Sequence, residues 1–413
     1  MKWAVAQIGS RRRYTVPRAL HGAGMLSHLY TDTCATKGWP RALRLVPASL
    51  RSARLRRLLG RVPVGIPKER ITAFSSFGFA YSRRLYQSQS ASDRTAAYLW
   101  GGSRFCERII SRGLPDCDGV YTFSCGGLEL MAFARHRGKL TAYDQLLPPR
   151  EVEECLQREE QARFPDWEKP WPEDEHLEAL KERERQEWAN TDVIICPSQY
   201  VYDEIRNCGG PVERCVIVPP GGVDDRFNIP ERAAHNGPLR VLTIGRVDLR
   251  KGSPYVLEAA KLLGKGVHFR MVGGIGVSDQ AAVLLRSHVE LLGPVPHANI
   301  REQFAWADVF LLPSVCEGSA GVVYEALASG LPVITTPNAG SVVRDGEDGF
   351  LIPIRDGVAI ASRLDRLASQ SKLRHRMAGK ALERGREFTL PRYGERLIAA
   401  LERKNGTDGF ADR

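Results

Sequence analysis

The sequence predicts an α/β protein made of two Rossmann-like domains that face a central cleft. Apolar, strand-like runs alternate with amphipathic, helix-like stretches, and this alternation passes through the chain twice. Apolar strands separated by amphipathic helices are typical of parallel sheets that are covered on both faces. The length of 413 residues is sufficient for two domains that each bury their own core.

The strands are predicted along the chain as follows. In the first half they lie at 3–9, 119–123, 139–144 and 192–197, with an acidic helical stretch over 151–189. In the second half they lie at 239–245, 268–273, 289–293, 308–314 and 332–336, with helices such as 253–263, 298–307 and 319–330 between them. Prolines and glycines at 219–222 mark a boundary. We therefore predict an N-terminal domain over 1–220 and a C-terminal domain over 221–388.

The formal charge of +11 is unevenly distributed. Residues 11–112 contain 20 Lys and Arg against 4 Asp and Glu, whereas residues 151–190 contain 14 acidic and 6 basic residues. Within the basic region, arginines and leucines interleave over 41–62 at near-helical spacing. That segment is interpreted either as an ordinary amphipathic surface helix or as an interfacial helix for anionic lipid. Nucleic acid is not an expected partner, because neither an aromatic stacking surface nor a nucleic-acid fold signature occurs.

The cysteines and the apolar runs bear on the compartment. Nine cysteines are widely spaced and form no C-x-x-C pair, so we expect reduced thiols in a reducing compartment. The longest apolar runs, such as 309–313, are far shorter than a membrane span, and the start lacks a secretory signal. We therefore predict a cytoplasmic protein, either soluble or peripherally attached to the inner face of the membrane.

In parallel sheets, ligands bind beyond the carboxyl ends of the strands. Gly245, Arg246 and Lys251 follow the first strand of the second half, and a helix is predicted to begin just after them at Ser253. Two cations beside a helix N-terminus suit a diphosphate; a solvated turn with loose charges is the alternative. The next strand is followed by glycines at 273–276, which let a ligand approach the backbone closely.

The strongest signal follows the strand at 308–314. Glu317 and Glu325 lie eight positions apart across a predicted helix start. The small residues 318–321 are expected to leave backbone N–H groups free for an anion. Glu325 lies in an apolar stretch, where an unpaired carboxylate is costly, so we expect it to bind donors such as sugar hydroxyls. A surface salt-bridging pair is the alternative.

The stretch from Glu317 to Glu325 resembles the E-x7-E motif of glycosyltransferase family 4, which contains retaining enzymes of GT-B fold. Residues 216–224 resemble the interdomain "IPNGVD" segment of that family, and 245–252 resemble its "GR…KG" segment. The resemblance covers about 190–355 well and the first 190 residues loosely. It implies a GT-B fold whose C-terminal helix, over 389–413, crosses back to the N-terminal domain.

The resemblance also implies a role for each matching position. Arg246 and Lys251 would hold the diphosphate of a UDP- or GDP-sugar and stabilise it as leaving group, and Glu325 would bind the ribose. Glu317 and the backbone of 318–320 would contact the sugar. Retention is attributed in this family to front-face attack, so no nucleophile, metal or cofactor is implied. The predicted catalytic residues are Arg246, Lys251 and Glu317, and the predicted donor-binding residues are Gly9, Gly245, Gly273, Gly318, Ser319, Ala320, Gly321 and Glu325.

The acceptor is expected on the N-terminal domain. Asp144 falls where the family often has His-Asp, and it is interpreted either as an acceptor-orienting group or as an ordinary strand-end aspartate. The loop after the first strand carries three arginines, so the acceptor candidates are Asp144, Arg11, Arg12 and Arg13. The D-x-D triplet at 116–118 is interpreted as structural rather than as a metal site.

The resemblance implies a retaining glycosyltransferase of surface polysaccharide, lipopolysaccharide or lipid-linked glycan biosynthesis. Its expected partners are a nucleotide-sugar donor, a glycan or lipid-linked acceptor and an anionic membrane surface. The alternatives are another GT-B enzyme, such as a sugar-nucleotide epimerase or a phosphorylase, a transferase for a soluble small acceptor, and a non-catalytic protein that binds anionic membranes.

Overall fold

The computed structural model of the protein describes residues 1–221, 227, 235–296 and 299–402. Residues 222–224 of the predicted interdomain segment, Ala298 of one predicted helix and the tail 403–413 lie outside this range. The described chain contains two sheets in which every pairing between neighbouring strands is parallel. Helices cover their faces, so the predicted pair of Rossmann-like domains is confirmed.

The first sheet has the strand order 3-2-1-4-5-6-7. Its strands are β1 (Trp3–Gln7), β2 (Leu26–Thr31), β3 (Ile71–Ala73), β4 (Gly119–Phe123), β5 (Leu140–Asp144), β6 (Val193–Cys196) and β7 (Cys215–Ile217). The helices of this half are α1 (Thr15–Gly22), α2 (Ala53–Leu59), α3 (Ser75–Gln87), α4 (Ala91–Arg112), α5 (Leu128–Arg135), α6 (Arg150–Arg163), α7 (Leu177–Ala189) and α8 (Gln199–Asn207). All residues of β1 and β4 are buried, as expected for central strands covered on both faces.

The second sheet has the strand order 10-9-8-11-12-13. Its strands are β8 (Leu239–Ile244), β9 (Val267–Val272), β10 (Val289–Gly293), β11 (Val309–Leu312), β12 (Val333–Thr335) and β13 (Gly349–Leu351). The remaining helices are α9 (Ser253–Leu263), α10 (Asp279–Arg286), α11 (Ile300–Trp306), α12 (Gly321–Ala328), α13 (Gly357–Ser369), α14 (Ser371–Gly385) and α15 (Leu390–Glu402). In each sheet, successive strands are added first on one side and then on the other side of a single strand, which is β1 in the first sheet and β8 in the second. Ligand crevices form beside such switch points.

Two segments join the domains in addition to the chain between β7 and β8. Helix α15 returns to the first domain, where Tyr393 and Leu397 are buried in one core with Trp3 and Leu20; this confirms the predicted crossing. The second segment, residues 150–168, is here named the strap. It leaves the first domain, and its Phe164 and Trp167 pack against the core of the second.

The basic segment 41–62 does not form the predicted amphipathic helix. It divides into 3₁₀ helices at Trp39–Leu45 and Ala48–Leu50, followed by the short α2. The cause is Pro47, because a residue that precedes proline avoids the helical region, and Val46 is extended with φ −64° and ψ 124°. Leu45 and Leu50 are therefore left 87% and 73% exposed. Within the described residues, no helix has both the length and the apolar character that crossing a membrane requires.

Candidate active site

The two glycine turns predicted to face a ligand lie against each other beyond β8 and β9. Gly245 has φ +152° and Gly273 has φ +151°, values at the edge of the region that favours glycine. A Cβ on Gly273 would clash with the carbonyl oxygen of Gly245. The Gly245 N–H donates to the carbonyl of Val272 at 2.9 Å. Only glycine permits such close contact between the two backbones. The two turns therefore form one wall of the cleft.

The predicted cation and carboxylate of the site form an ion pair. Lys251 Nζ lies 2.5 Å from Glu317 Oε1, and Arg250 Nη1 lies 3.2 Å from the same oxygen. Lys251 and Glu317 are each only 9% exposed. The loop is held from below, since the Lys251 N–H donates to Asp248 Oδ1 at 2.9 Å. Two cations therefore converge on one carboxylate at the carboxyl ends of β8 and β11.

The arginine that joins the Glu317 cluster is Arg250 and not the predicted Arg246. Arg250 was not predicted, although it adjoins Lys251 in the loop and shares its carboxylate partner. Arg246 stays outside this cluster: its side chain is 66% exposed and its Nε lies 3.8 Å from Asp248 Oδ2. It extends over the second glycine turn, where a Cβ on Gly276 would clash with its guanidinium. Arg246 is thus placed at the rim of the site.

The Glu317 loop, residues 313–320, contacts the first domain directly. Ser198 Oγ donates to the Gly318 carbonyl at 2.6 Å, and a Cβ on Gly318 would clash with the carbonyl of Leu146. Ser319 Oγ is 2.7 Å from the Tyr324 hydroxyl and donates to the Gly340 carbonyl at 2.9 Å. The loop is therefore pressed against both the first domain and its own helix α12.

The expectation that residues 318–321 leave their backbone N–H groups free is contradicted at Ala320. The backbone N–H of Ala320 is not free for an anion, because it donates to the Ala339 carbonyl at 3.0 Å, and that of Glu317 donates to the Asn338 carbonyl at 2.8 Å. The N–H groups of Gly321 and Val322, in the first turn of α12, have no acceptor within their own helix. Glu325 is half-buried, about one turn further along α12.

A cavity of about 300 Å³ lies in the first domain, on the other side of the Glu317 loop. Leu146, whose carbonyl meets Gly318, forms part of its wall. Of the predicted acceptor residues, Arg11 lines it, together with Arg150 and Cys125. Gly9, with φ +77°, does not line it. Its N–H instead donates to Asp32 Oδ1 at 2.9 Å, which holds the loop after β1.

The buried Asp144 and the partly exposed Arg12 interact electrostatically near the cavity. Asp144 is 1% exposed and accepts from the Tyr121 hydroxyl at 2.9 Å. Burial raises the pKa of Asp144, while the charge of Arg12 and the Tyr121 hydrogen bond act in the opposite direction. Burial, the largest single effect, would lower the pKa of Arg12, but the charge effects of Asp144, Tyr393, Tyr324 and Tyr121 together outweigh it, so the pKa is raised. Asp144 thus lies close enough to Arg12 for their charges to interact, and it has almost no surface to offer an acceptor.

The arginine turn itself is strained. Arg12, Arg13 and Tyr14 have φ of 45°, 52° and 61°, a run of left-handed residues that costs about 1–2 kcal/mol each for side chains other than glycine. Tyr14 is fully buried, whereas Arg13 is exposed. Strain of this kind persists only where the surroundings impose it, and the run ends at the fully buried Tyr14.

The acidic helix α7 contributes residues that were not predicted. Glu187 accepts from the Cys125 N–H at 2.9 Å and from the Gly127 N–H at 3.0 Å, and Glu184 accepts from the Arg150 N–H at 2.9 Å. Both carboxylates are buried, and burial raises their pKa values. These two carboxylates accept hydrogen bonds from the backbone of the cavity wall and are therefore not part of a solvated acidic surface.

The D-x-D triplet lies away from the site. Asp118 accepts from the Lys2 N–H at 2.6 Å and immediately precedes β4, at the edge of the sheet opposite the cavity. In the described part of the chain, no three His, Cys, Asp or Glu side chains are grouped as metal ligands. All nine cysteines are free thiols.

Comparisons with known proteins place this site in a family. Residues 238–370 match the family described as "Glycosyl transferases group 1". The amylovoran biosynthesis glycosyltransferase AmsK of Erwinia amylovora is 29% identical over 44% of this chain and 48% of its own length. The lipopolysaccharide core biosynthesis glycosyltransferase LpsE of Rhizobium meliloti is 29% identical over 51% of this chain and 62% of its own length. The chain thus spans about half the length of these curated relatives.

Solved structures match almost the whole chain in fold. Sucrose-phosphate synthase of Thermosynechococcus elongatus has a TM-score of 0.64 at 17% identity and covers 98% of this chain and 99% of its own. Anabaena HepE in complex with UDP and glucose has a TM-score of 0.56 at 14% identity and covers 98% of this chain and 100% of its own. The fold and the paired loops define a GT-B protein. The matched domain, residues 238–370, and these relatives support the glycosyltransferase family 4 type that the motifs predicted.

Proposed function

We propose that the protein is a retaining glycosyltransferase that moves a sugar from a UDP- or GDP-sugar to an acceptor hydroxyl in the biosynthesis of surface polysaccharide, lipopolysaccharide or a lipid-linked glycan. The observation that carries the proposal is the cluster of Glu317 with Lys251 and Arg250, in a loop that Gly318 presses against the first domain. The roles of AmsK in amylovoran biosynthesis and of LpsE in lipopolysaccharide core biosynthesis support the choice of pathway.

The cluster suits departure of a nucleoside diphosphate. Negative charge grows on the diphosphate as the glycosidic bond breaks, and fixed cations in a partly dry site stabilise it without reorganisation. A bound diphosphate would compete with Glu317 for Lys251 and Arg250, and the released carboxylate could then accept a hydrogen bond from the donor sugar. Arg246 would close over the diphosphate from the rim. We propose that this requires neither a metal nor a cofactor, and that attack occurs on the face that the diphosphate leaves.

The acceptor hydroxyl would enter from the first-domain cavity. Arg11 and Arg150 line this cavity, and its wall at Leu146 touches the Glu317 loop. The acceptor would therefore meet the donor sugar at the junction of the two domains. We propose a glycan or lipid-linked acceptor used at the cytoplasmic face of an anionic membrane, which the positive charge of residues 11–112 would attract.

The test is a donor screen with the full chain. Radiolabelled UDP- and GDP-sugars are incubated with the protein, and the release of free sugar or its transfer to an oligosaccharide is measured. UDP-glucose comes first, because HepE has been solved with UDP-glucose. We expect turnover of one donor class, lost in Glu317→Gln. A protein that binds and turns over no nucleotide sugar would contradict the proposal.

A further inference from the structure

A second concave surface lies on the first domain, away from the cavity. Helices α2 and α3 enclose a groove of about 580 Å³, here named the arginine groove. Its wall consists of four arginines, four large apolar or aromatic side chains and three small residues. They are Arg54, Arg57, Arg61, Arg83, Leu58, Trp39, Phe79, Tyr86, Thr33, Gly78 and Ser82.

The groove carries an excess of positive charge. Its lining holds no Asp or Glu. Arg61 is neutralised from below by the buried Asp32, with Nη1 2.9 Å from Oδ2, and the guanidinium of Arg54 lies 4.5 Å from the ring centre of Tyr86. Among the described residues, no carboxylate lies within ion-pair distance of Arg57 or Arg83. The groove is therefore complementary to an anion.

The same groove presents large apolar side chains to solvent. Trp39, Phe79 and Tyr86 are 47%, 60% and 71% exposed, and the rings of Trp39 and Phe79 meet edge to face at 6.3 Å. The segment that leads to α2 also exposes Leu45 and Leu50. Exposed aliphatic and aromatic groups beside cations fit a hydrocarbon chain with an anionic head. Aliphatic leucines offer nothing to the bases of a nucleic acid, which makes nucleic acid the poorer fit.

The groove is linked to the site through Asp32 and α3. Asp32 Oδ1 accepts from the Gly9 N–H at 2.9 Å while Oδ2 holds Arg61, so one carboxylate connects the loop after β1 with the groove. Helix α3 gives Tyr81 to the cavity and Phe79 to the groove. A molecule lying in the groove would thus have its head near the loop that borders the cavity.

We infer that the arginine groove binds a phosphorylated lipid, with its phosphate or diphosphate on Arg57 and Arg83 and the first part of its hydrocarbon chain against Trp39 and Phe79. The glycan attached to that phosphate would reach the cavity. The identification of this lipid as the acceptor rests on the proposed function. Binding of the lipid phosphate itself does not depend on transferase activity.

The test is isothermal titration of the full chain with decyl phosphate below its micelle concentration. We expect saturable binding, with inorganic phosphate and the uncharged decyl maltoside each at least tenfold weaker. The double variant Arg57→Gln/Arg83→Gln and the single variant Phe79→Ala should each weaken the binding at least tenfold. All three side chains are exposed, so the variants should fold, which thermal unfolding checks. Arg108→Gln, an exposed arginine on α4, is the matched control and should bind normally.

Three results would overturn the inference. They are unchanged affinity in the double variant, inorganic phosphate binding as tightly as decyl phosphate, and binding to phosphatidylglycerol vesicles without binding to monomeric decyl phosphate. The last would identify a bilayer surface instead. Loss of decyl phosphate binding with donor turnover intact counts against the groove alone. Retained binding in a protein that turns over no donor counts against the proposed function alone.

Discussion

At the scale of single residues, the donor side depends on a carboxylate that two cations hold in a nearly buried position. Glu317 Oε1 is within 3.2 Å of both Arg250 and Lys251. Removing one member of such a cluster is costly, because it leaves a nearly buried charge without its full complement of opposite charge. Its members lie in two loops of the second domain, so their approach depends on the order of β8 and β11 in the sheet.

We expect Lys251→Ala to lower turnover at least tenfold. The change removes a charged contact worth about 1.5–3 kcal/mol, and each 1.36 kcal/mol is tenfold in rate. Initial rates with the active donor measure the effect. Lys265→Ala, which removes an exposed lysine after α9, is the control and should keep the wild-type rate. Wild-type turnover in Lys251→Ala would remove this residue from the site.

Asp144 gives a prediction about pH. Its pKa is raised in the folded protein, so the folded state takes up a proton at Asp144 more readily than the unfolded chain. This group therefore adds stability as the pH falls toward the folded pKa, and the contribution is complete below the unfolded pKa. The free energy of unfolding of the wild type should rise relative to Asp144→Asn as the pH falls through the raised folded pKa toward the unfolded Asp pKa of about 3.9. Urea unfolding of both proteins measures it; a constant difference would refute the assignment.

At the scale of elements, the strap couples the domains at the donor loop. Glu168 Oε1 accepts from the Leu249 N–H at 2.6 Å. Further back, Glu160 Oε2 accepts from the Tyr255 hydroxyl at 2.8 Å, and Arg355 pairs with the same carboxylate at 2.5 Å. The Glu168 contact holds the loop between Arg246 and Lys251. The Glu160 contacts attach the strap to α9 and to Arg355 of the second domain. The strap thus positions the loop between Arg246 and Lys251, although it contributes no side chain to the Glu317 cluster.

We expect Glu168→Ala to raise the donor KM several-fold while kcat changes less. A lost hydrogen bond of about 0.5–1.5 kcal/mol corresponds to roughly a two- to tenfold effect. Glu168→Gln retains an oxygen that can accept the Leu249 hydrogen bond, so its donor KM should stay close to the wild-type value. This difference between the Gln and Ala variants would show that the hydrogen bond itself affects donor binding. Glu173→Ala, an exposed glutamate beyond the strap, is the control. Equal KM values for Glu168→Ala and Glu168→Gln would contradict the prediction.

The elements also show what local patterns can predict. The strands β8 to β12 were predicted because long apolar runs between helices leave few alternatives. The strands β2, β3, β7 and β13 were not predicted, and the last three have only three residues each. The equally short β12 was predicted from the longer apolar run at 332–336 that contains it. The prediction of one helix over 41–62 was wrong because the Arg and Leu spacing continues across Pro47, whereas a helix does not. The roles of Arg250, Glu168 and Glu187 could not be predicted, since each depends on contacts made only after distant segments pack.

At the scale of the whole molecule, the chain crosses between the domains more than once. Leu397 of α15 is fully buried in the core of the first domain. We expect Leu397→Ala to lower the free energy of unfolding by about 2–5 kcal/mol, with faster amide hydrogen exchange in β1. Urea unfolding and exchange measurements test this. Leu262→Ala, at a position 58% exposed on α9, should have little effect. An unperturbed β1 would show that α15 does not support the first domain.

The strap has a consequence for how such proteins can be recombined. The family match begins at residue 238, yet the core of that domain is completed by Leu156, Phe164 and Trp167, which precede it in the chain. A second domain transplanted into another scaffold from residue 238 onward would arrive with an uncovered apolar patch and an unsupported loop between Arg246 and Lys251. Inheritance of a new donor specificity, in nature or by design, would therefore require residues 150–168 to travel with it.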